Sequence, residues 1–387
     1  MEKTIALALN RFPTTPHSLR ETPHRDIPRA EMTVNLASLY HHYYLDSHGR
    51  IPPDPDPAQF EHLQFLMPTR EFRVRGDGIG ASTSIRRHRS NELGHAFCRW
   101  FLHDHLNITY FAHMEHVLGR SLRRAFGNQR LERTSSGDTP DYFCAESVDK
   151  IFLAEAKGRH SSISFGNADF ATWRAQFGRV TVKDNAGHAR NVKGYIVATR
   201  FAMEAKPATK STLLAEDPQS PGDGQLNEEE RREIGAMVMS AHYAEIALKL
   251  AQPILASALA NGFVVPEEIQ FPVTVWEFQI PPLKGRRFVG GYYPSQGGAL
   301  PIREVNGRIV LDALDPLRLD VGQGTFFGVE EKIFRQVTAV ARRGPAMTAE
   351  IGRFEETEPF YSGISLLRDG SVIGPLEFFA PVQRTAF

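Results

Sequence analysis

The sequence predicts an α/β chain with a mixed central sheet flanked by helices, followed by an additional α+β module. Three observations predict it. Apolar residues recur at helical spacing over Arg86 to Asp104 and again over Asp169 to Val180. Between them lies a hairpin of two apolar segments that reverses at Glu146 to Lys150. Beyond them, Gly194 to Phe201 (Gly-Tyr-Ile-Val-Ala-Thr-Arg-Phe) has the character of a buried strand. With one further strand before the hairpin, the order is helix, strand, strand, strand, helix, strand (αβββαβ) over about residues 86 to 206.

The elements follow in order. Residues 1–80, with proline-rich patches at Pro13 to Pro28 and Pro52 to Pro57, read as an N-terminal arm with a few elements packed on the core. His41-His42-Tyr43-Tyr44 within it reads as a packed aromatic segment. The first core helix carries Leu93, Phe97, Trp100 and Phe101 on one face, with Ser90 and Asn91 as caps near its start. A second helical stretch places Phe111, Met114, Leu118, Leu122 and Phe126 together and ends at Gly127. Leu131 to Ser135 is then the first strand. The second opens at Pro140-Asp141 after a Gly137-Asp138 turn, and the third, Ile151 to Lys157, stops at Gly158. Phe170, Trp173 and Phe177 mark the next helix.

An acid-, proline- and glycine-rich stretch from Glu216 to Glu233 reads as a linker, which sets a domain at 81–226 and a second at 227–387. Asn227 followed by Glu228, Glu229 and Glu230 resembles a capping box, opening a helix through Ile234, Val238, Tyr243, Ile246 and Leu250. Beyond Gly262 come strands at Phe271 to Ile280 and Arg286 to Tyr293, a helix at Glu330 to Arg342, and a hairpin over Gly363 to Phe379 turning at Asp369-Gly370. This module carries no catalytic motif and suits recognition, dimerisation or docking of a partner.

Composition narrows the class. A 387-residue chain with 41% hydrophobic and 23% charged residues is ordinary for a globular protein. No stretch is long and apolar enough to span a bilayer, and the N-terminus is too short and too acidic for a signal peptide, so a cytoplasmic location is expected. Two cysteines, Cys98 and Cys144, exclude a disulfide framework and read as small core residues in a reduced compartment. A formal net charge of +0 argues against indiscriminate nucleic-acid binding. Charge is nonetheless clustered: Arg120, Arg123 and Arg124 run into the hairpin, and Arg86, Arg87 and Arg89 precede the first core helix, where arginines can hold phosphates.

The hairpin carries the chemistry. Side chains alternate along a strand, so Glu155 and Lys157 share a face, Ala156 takes the other, and pairing brings Asp141 beside them. Two carboxylates and an ammonium then converge. Metal-assisted phosphodiester hydrolysis needs this set: hard oxygens for Mg²⁺, and a cation to orient water and offset charge on phosphate. The tripeptide alone is weak, because Glu204-Ala205-Lys206 repeats it.

On Pro140-Asp141 and Glu155-Ala156-Lys157, in that element order, the chain resembles the PD-(D/E)XK nuclease superfamily, with its restriction-endonuclease-like fold. The resemblance implies Asp141 as motif aspartate, Glu155 as the (D/E) and Lys157 as motif lysine, with Mg²⁺ as cofactor and Mn²⁺ able to substitute. It also implies an acid from the first core helix, for which Glu92 is the candidate third ligand, and an accessory glutamine, matched by Gln176. His160 is placed to assist proton transfer or touch a phosphate. His95, His103, His105, His113 and His116 crowd one region, but neither His103-Asp-His105 nor His113-Met-Glu-His116 has zinc-ligand spacing, and they read as interfacial polar residues. The expectation is a Mg²⁺-dependent endonuclease acting on DNA, with RNA also open, in a bacterial defence or restriction role. The alternative is a catalytically silent, nuclease-like subunit that binds nucleic acid or assembles with a partner such as a translocating ATPase; a homodimer fits either.

Overall fold

A computed structural model describes residues 2–47, 57, 60, 62–118, 126, 130–184, 186–218, 227–294, 302–306, 308–311, 324–355, 361 and 363–387. The chain divides into two compact units, Glu2–Ser47 with Glu61–His242, and Tyr243–Phe387 with His48–Phe60.

The first unit is built on a seven-stranded mixed sheet. Its strands are β1 (Glu2–Asn10), β2 (Glu31–Asn35), β3 (Tyr110–His113), β4 (Tyr142–Ser147), β5 (Lys150–Arg159), β6 (Gly194–Arg200) and β7 (Thr212–Glu216). Their spatial order is β2-β1-β7-β6-β5-β4-β3. β3, β4 and β5 are antiparallel neighbours, whereas β5 and β6 run parallel, joined through a helix as a parallel pair requires. The helices are α1 (Leu36–Ser47), α2 (Thr83–Leu106) and α3 (Ala168–Phe177). From α2 to β6 the elements of the central sheet and its helices run helix, strand, strand, strand, helix, strand.

Several elements differ from the sequence expectation. The first strand of that series is Tyr110–His113, not Leu131 to Ser135. Asn107, in the left-handed region at φ +61°, ends α2, and Tyr110, Phe111 and Ala112 then form a short, fully buried apolar run. Such a run fits a strand as well as a helix by spacing alone, and burial in the sheet decides it. Met114–Val117 is a single helical turn, and Leu122, Arg120, Arg123 and Arg124 lie outside the described residues. Arg130–Arg133 is a strand, but it pairs with Val180–Lys183 in a separate three-stranded sheet. The cap of α2 is Ser82, whose hydroxyl accepts from Ile85 N, while Ser90 sits inside the helix and donates back to Arg86 O. The region expected as an arm supplies β1, β2 and α1, and β1 lies within the central sheet beside β7. Glu216, the first residue of the expected linker, is the buried last residue of β7, held by Arg174.

α4 (Glu228–Lys249) begins with a reciprocal cap: Glu230 N donates to Asn227 Oδ1 at 2.9 Å and Asn227 N to Glu230 Oε2 at 3.0 Å. The division between units falls within this helix, after His242, rather than at 226/227.

The second unit carries a six-stranded antiparallel sheet, formed by β8 (Pro272–Phe278), β9 (Arg287–Tyr293), β10 (Thr325–Glu330), β11 (Ser365–Leu366), β12 (Ser371–Pro375) and β13 (Phe379–Ala386). α5 (Pro253–Asn261) and α6 (Glu331–Arg343) belong to it, and α6 buries Ile333, Phe334, Val337, Val340 and Ala341 at helical spacing. Its core is aromatic, with Phe326 and Phe379 stacked at 3.9 Å between ring centres. Among the described residues, no helix of either unit is long and apolar enough to cross a membrane.

Candidate active site

Register builds the site. Tyr142 pairs with Ala154 in the β4–β5 ladder, so Asp141, one residue earlier, falls opposite the start of Glu155-Ala156-Lys157. Asp141 is fixed there from two sides. Met114 N donates to its carbonyl at 2.9 Å, and Ala156 N donates to its Oδ2 at 2.8 Å. Lys157 Nζ then lies 3.3 Å from Asp141 Oδ2 and 2.6 Å from Glu155 Oε1, bridging the two carboxylates. The structure therefore brings Asp141, Glu155 and Lys157 together.

Burial gives the trio its electrostatics. Glu155 is fully buried at 0% exposure, and neither of its oxygens takes a hydrogen bond of good geometry despite the nearby ammonium. Burial, and secondarily the Asp141 charge, push its carboxyl up to about 8, with Lys157 opposing the rise. Burial works against the Lys157 ammonium, but the two carboxylates outweigh it and hold the group above its ordinary value. Two carboxylates converging on one site supply the hard oxygen donors that a divalent cation such as Mg²⁺ takes.

The helix reaches the site through glycines. A Cβ on Gly94 would lie 2.4 Å from Gly158 N, and one on Gly158 only 1.7 Å from Ser90 O, so α2 and β5 cross backbone to backbone just after Lys157. This crossing carries His95 to the acids, with Nε2 3.8 Å from Asp141 Oδ1 and Nδ1 2.8 Å from the Tyr142 hydroxyl. Behind it stands Asp46 of α1. Its carboxylate lies 3.7 Å from His95 Nδ1, 3.2 Å from Arg99 Nη1 and 3.3 Å from His113 Nε2, and it accepts from the Tyr142 hydroxyl. His113 and Arg99 lead the neighbours that hold Asp46 below the usual carboxylate range against its burial.

The accessory residues expected from sequence fare differently. Glu92, one turn before His95, pairs with His88 at 3.3 Å, and the contact to Asp141 is made by His95 instead. Gln176 is buried on α3, and none of its described contacts joins it to the trio. His160 follows β5 and turns its Nδ1 to the Phe201 carbonyl, 3.3 Å away. The histidine cluster splits: His95 and His113 face Asp46, while His103 meets Asp104 and the His42 ring. His42, His103 and Asp104 offer ligand atoms within 4.8 Å of one another, the group of that kind found among the described residues, and it shares no member with the trio. Cys98 and Cys144 are buried thiols raised by that burial, as core residues are.

The comparisons with known proteins are short to report. The chain matches no family model, no curated protein and no solved structure.

Proposed function

We propose that this chain is a divalent-metal-dependent nuclease of the PD-(D/E)XK type, hydrolysing phosphodiester bonds in DNA. The observation that carries the reading is the strand register that sets Asp141 against Glu155 with Lys157 between them. The resemblance in element order supports it, with three antiparallel strands after α2 and a parallel fourth after α3.

In this reading Asp141 and Glu155 would hold Mg²⁺, and His95, with Nε2 3.8 Å from Asp141 Oδ1, would be a neighbouring ligand or proton acceptor. When bound, the ion supplies Lewis acidity at the phosphoryl oxygen and a more acidic water. Lys157 Nζ, anchored by both acids, orients the attacking water and offsets charge that builds on the phosphate. Glu155 must be ionised to serve, and a bound cation would offset the burial and the Asp141 charge that push its carboxyl up to about 8. Asp46 steadies His95 and Tyr142 from behind.

The test is cleavage of plasmid, linear and single-stranded DNA, and of RNA, with Mg²⁺, Mn²⁺, Ca²⁺ or EDTA. Cutting is expected with Mg²⁺ and Mn²⁺ and not with Ca²⁺ or EDTA, because Ca²⁺ places the water in a looser shell. DNA binding without cutting in any metal moves the weight to a silent, nuclease-like subunit.

A further inference from the structure

A cleft adjoins the trio at Lys157. Besides bridging the acids, that residue lines this cleft of about 580 Å³ together with Arg86, Arg87, Arg159, His160 and Trp173. We propose that this cleft is a phosphate subsite, holding a phosphate of the nucleic-acid strand beside the bond to be cut. The inference rests on the nuclease reading and deepens it.

Charge is the first argument. Four cationic side chains meet in the cleft, against the two acids Asp77 and Asp169. Both acids are exposed and already spent on surface pairs, Arg86 to Asp77 and Arg159 to Asp169, each at 2.6 Å. Each pair rests on an exposed carboxylate, so either arginine can exchange it for a phosphate. Arg87 is exposed and has no ion pair among the described residues.

Backbone shape is the second. The loop Gly76-Asp77-Gly78-Ile79-Gly80 enters α2 with all three glycines at positive φ, at 59°, 130° and 125°. A Cβ at Gly78 would lie 2.8 Å from Arg86 Cδ and 3.3 Å from His160 Nε2, so the glycine lets the loop pack directly against both side chains and sets where Arg86 lies. His160 Nε2 is itself buried with no hydrogen-bond partner, while Nδ1 faces the Phe201 carbonyl. A phosphate in the cleft meets the guanidiniums of Arg86 and Arg87. Trp173 adds an aromatic wall for the adjoining sugar or base.

The experiment is a salt titration of DNA binding by the full chain in EDTA, read by fluorescence anisotropy with single-stranded oligomers bearing a 5′-phosphate or a 5′-hydroxyl. Arg86→Gln with Arg87→Gln is expected to weaken binding roughly tenfold per lost contact and to flatten the salt slope by about 0.7 for each. Gly78→Ala, which changes no charge, is expected to weaken binding as well. A 5′-phosphate preference that disappears in the double variant assigns the cleft to a terminal phosphate, and equal weakening of both oligomers assigns it to an internal phosphodiester. Unchanged affinity and slope in the folded double variant overturn the subsite. Plasmid cutting in Mg²⁺ by the unaltered chain tests the nuclease reading separately, so cutting without arginine dependence sinks the subsite alone.

Discussion

Glu155-Ala156-Lys157 and Glu204-Ala205-Lys206 spell the same tripeptide and live in opposite surroundings. The first lies in a strand with a neighbour on each side, its glutamate stripped of water and facing another carboxylate. The second sits on an exposed turn, where Glu204 Oε2 accepts a 2.8 Å hydrogen bond from Gly76 N and both charged side chains stay hydrated. Three identical letters thus yield an acid raised by burial in one place and a turn brace in the other. What differs is the backbone: strand pairing makes Glu155 give up solvent, and nothing makes Glu204 do so.

The largest separation between the copies is expected in catalysis. Asp141→Asn and Glu155→Gln should abolish cutting, and Lys157→Ala should slow it roughly 10²–10³-fold, whereas Glu204→Gln and Lys206→Ala should cut like the parent. Similar loss from both copies, measured as initial rates on plasmid DNA, breaks the comparison.

Next in size is the support behind the first copy. Asp46→Ala removes the carboxylate facing the buried Arg99 guanidinium, His95, His113 and the Tyr142 hydroxyl, and should cost about 3 kcal/mol in urea unfolding. Asp46→Asn keeps the shape and part of the hydrogen bonding, so it should retain more stability while still lowering the cutting rate. A neutral outcome for both shows that the site does not lean on α1.

A smaller effect sharpens the contrast through pH. Glu155 has its carboxyl raised from 4.5 to about 8, so its ionised form is disfavoured in the folded state. That penalty is nil below about pH 4.5, where folded and unfolded chains both carry the proton, and it grows as pH rises towards 8. In metal-free buffer Glu155→Gln should therefore gain stability over the parent, by on the order of 2 kcal/mol, between pH 5 and pH 8. Mg²⁺ should recover stability at pH 8 for the parent and not for the variant. Parallel curves from thermal melts of the two proteins exclude the assigned burial.

The smallest expected change is in Glu204→Gln, within about 0.5 kcal/mol at every pH, as for a surface substitution that leaves a turn in place.

Much of this contrast is legible in the sequence, because alternation along Ile151 to Lys157 and the Pro140-Asp141 opening are local patterns. α2, with Leu93, Phe97, Trp100 and Phe101 at helical spacing, and the apolar β6 are legible for the same reason. β3 is not, since Phe111 and Met114 satisfy helical spacing and only the pairing of Tyr110 with Ala145 resolves the ambiguity. His95 stands in a visible histidine cluster, yet Glu92 has the more obvious metal chemistry. Three positions along one helix decide between them, and the Gly94–Gly158 crossing settles which side chain arrives. Asp46 leaves no trace in any local pattern, lying 96 positions from the tyrosine it binds.

The anchorage on Asp46 limits how the region of the trio can be cut out of the chain. A fragment of residues 81–226 keeps the whole motif but loses β1, which pairs along β7, and the carboxylate that gathers His95, Arg99, His113 and Tyr142. Moving the trio into another protein with its surroundings intact therefore means moving the N-terminal strands and α1 with it.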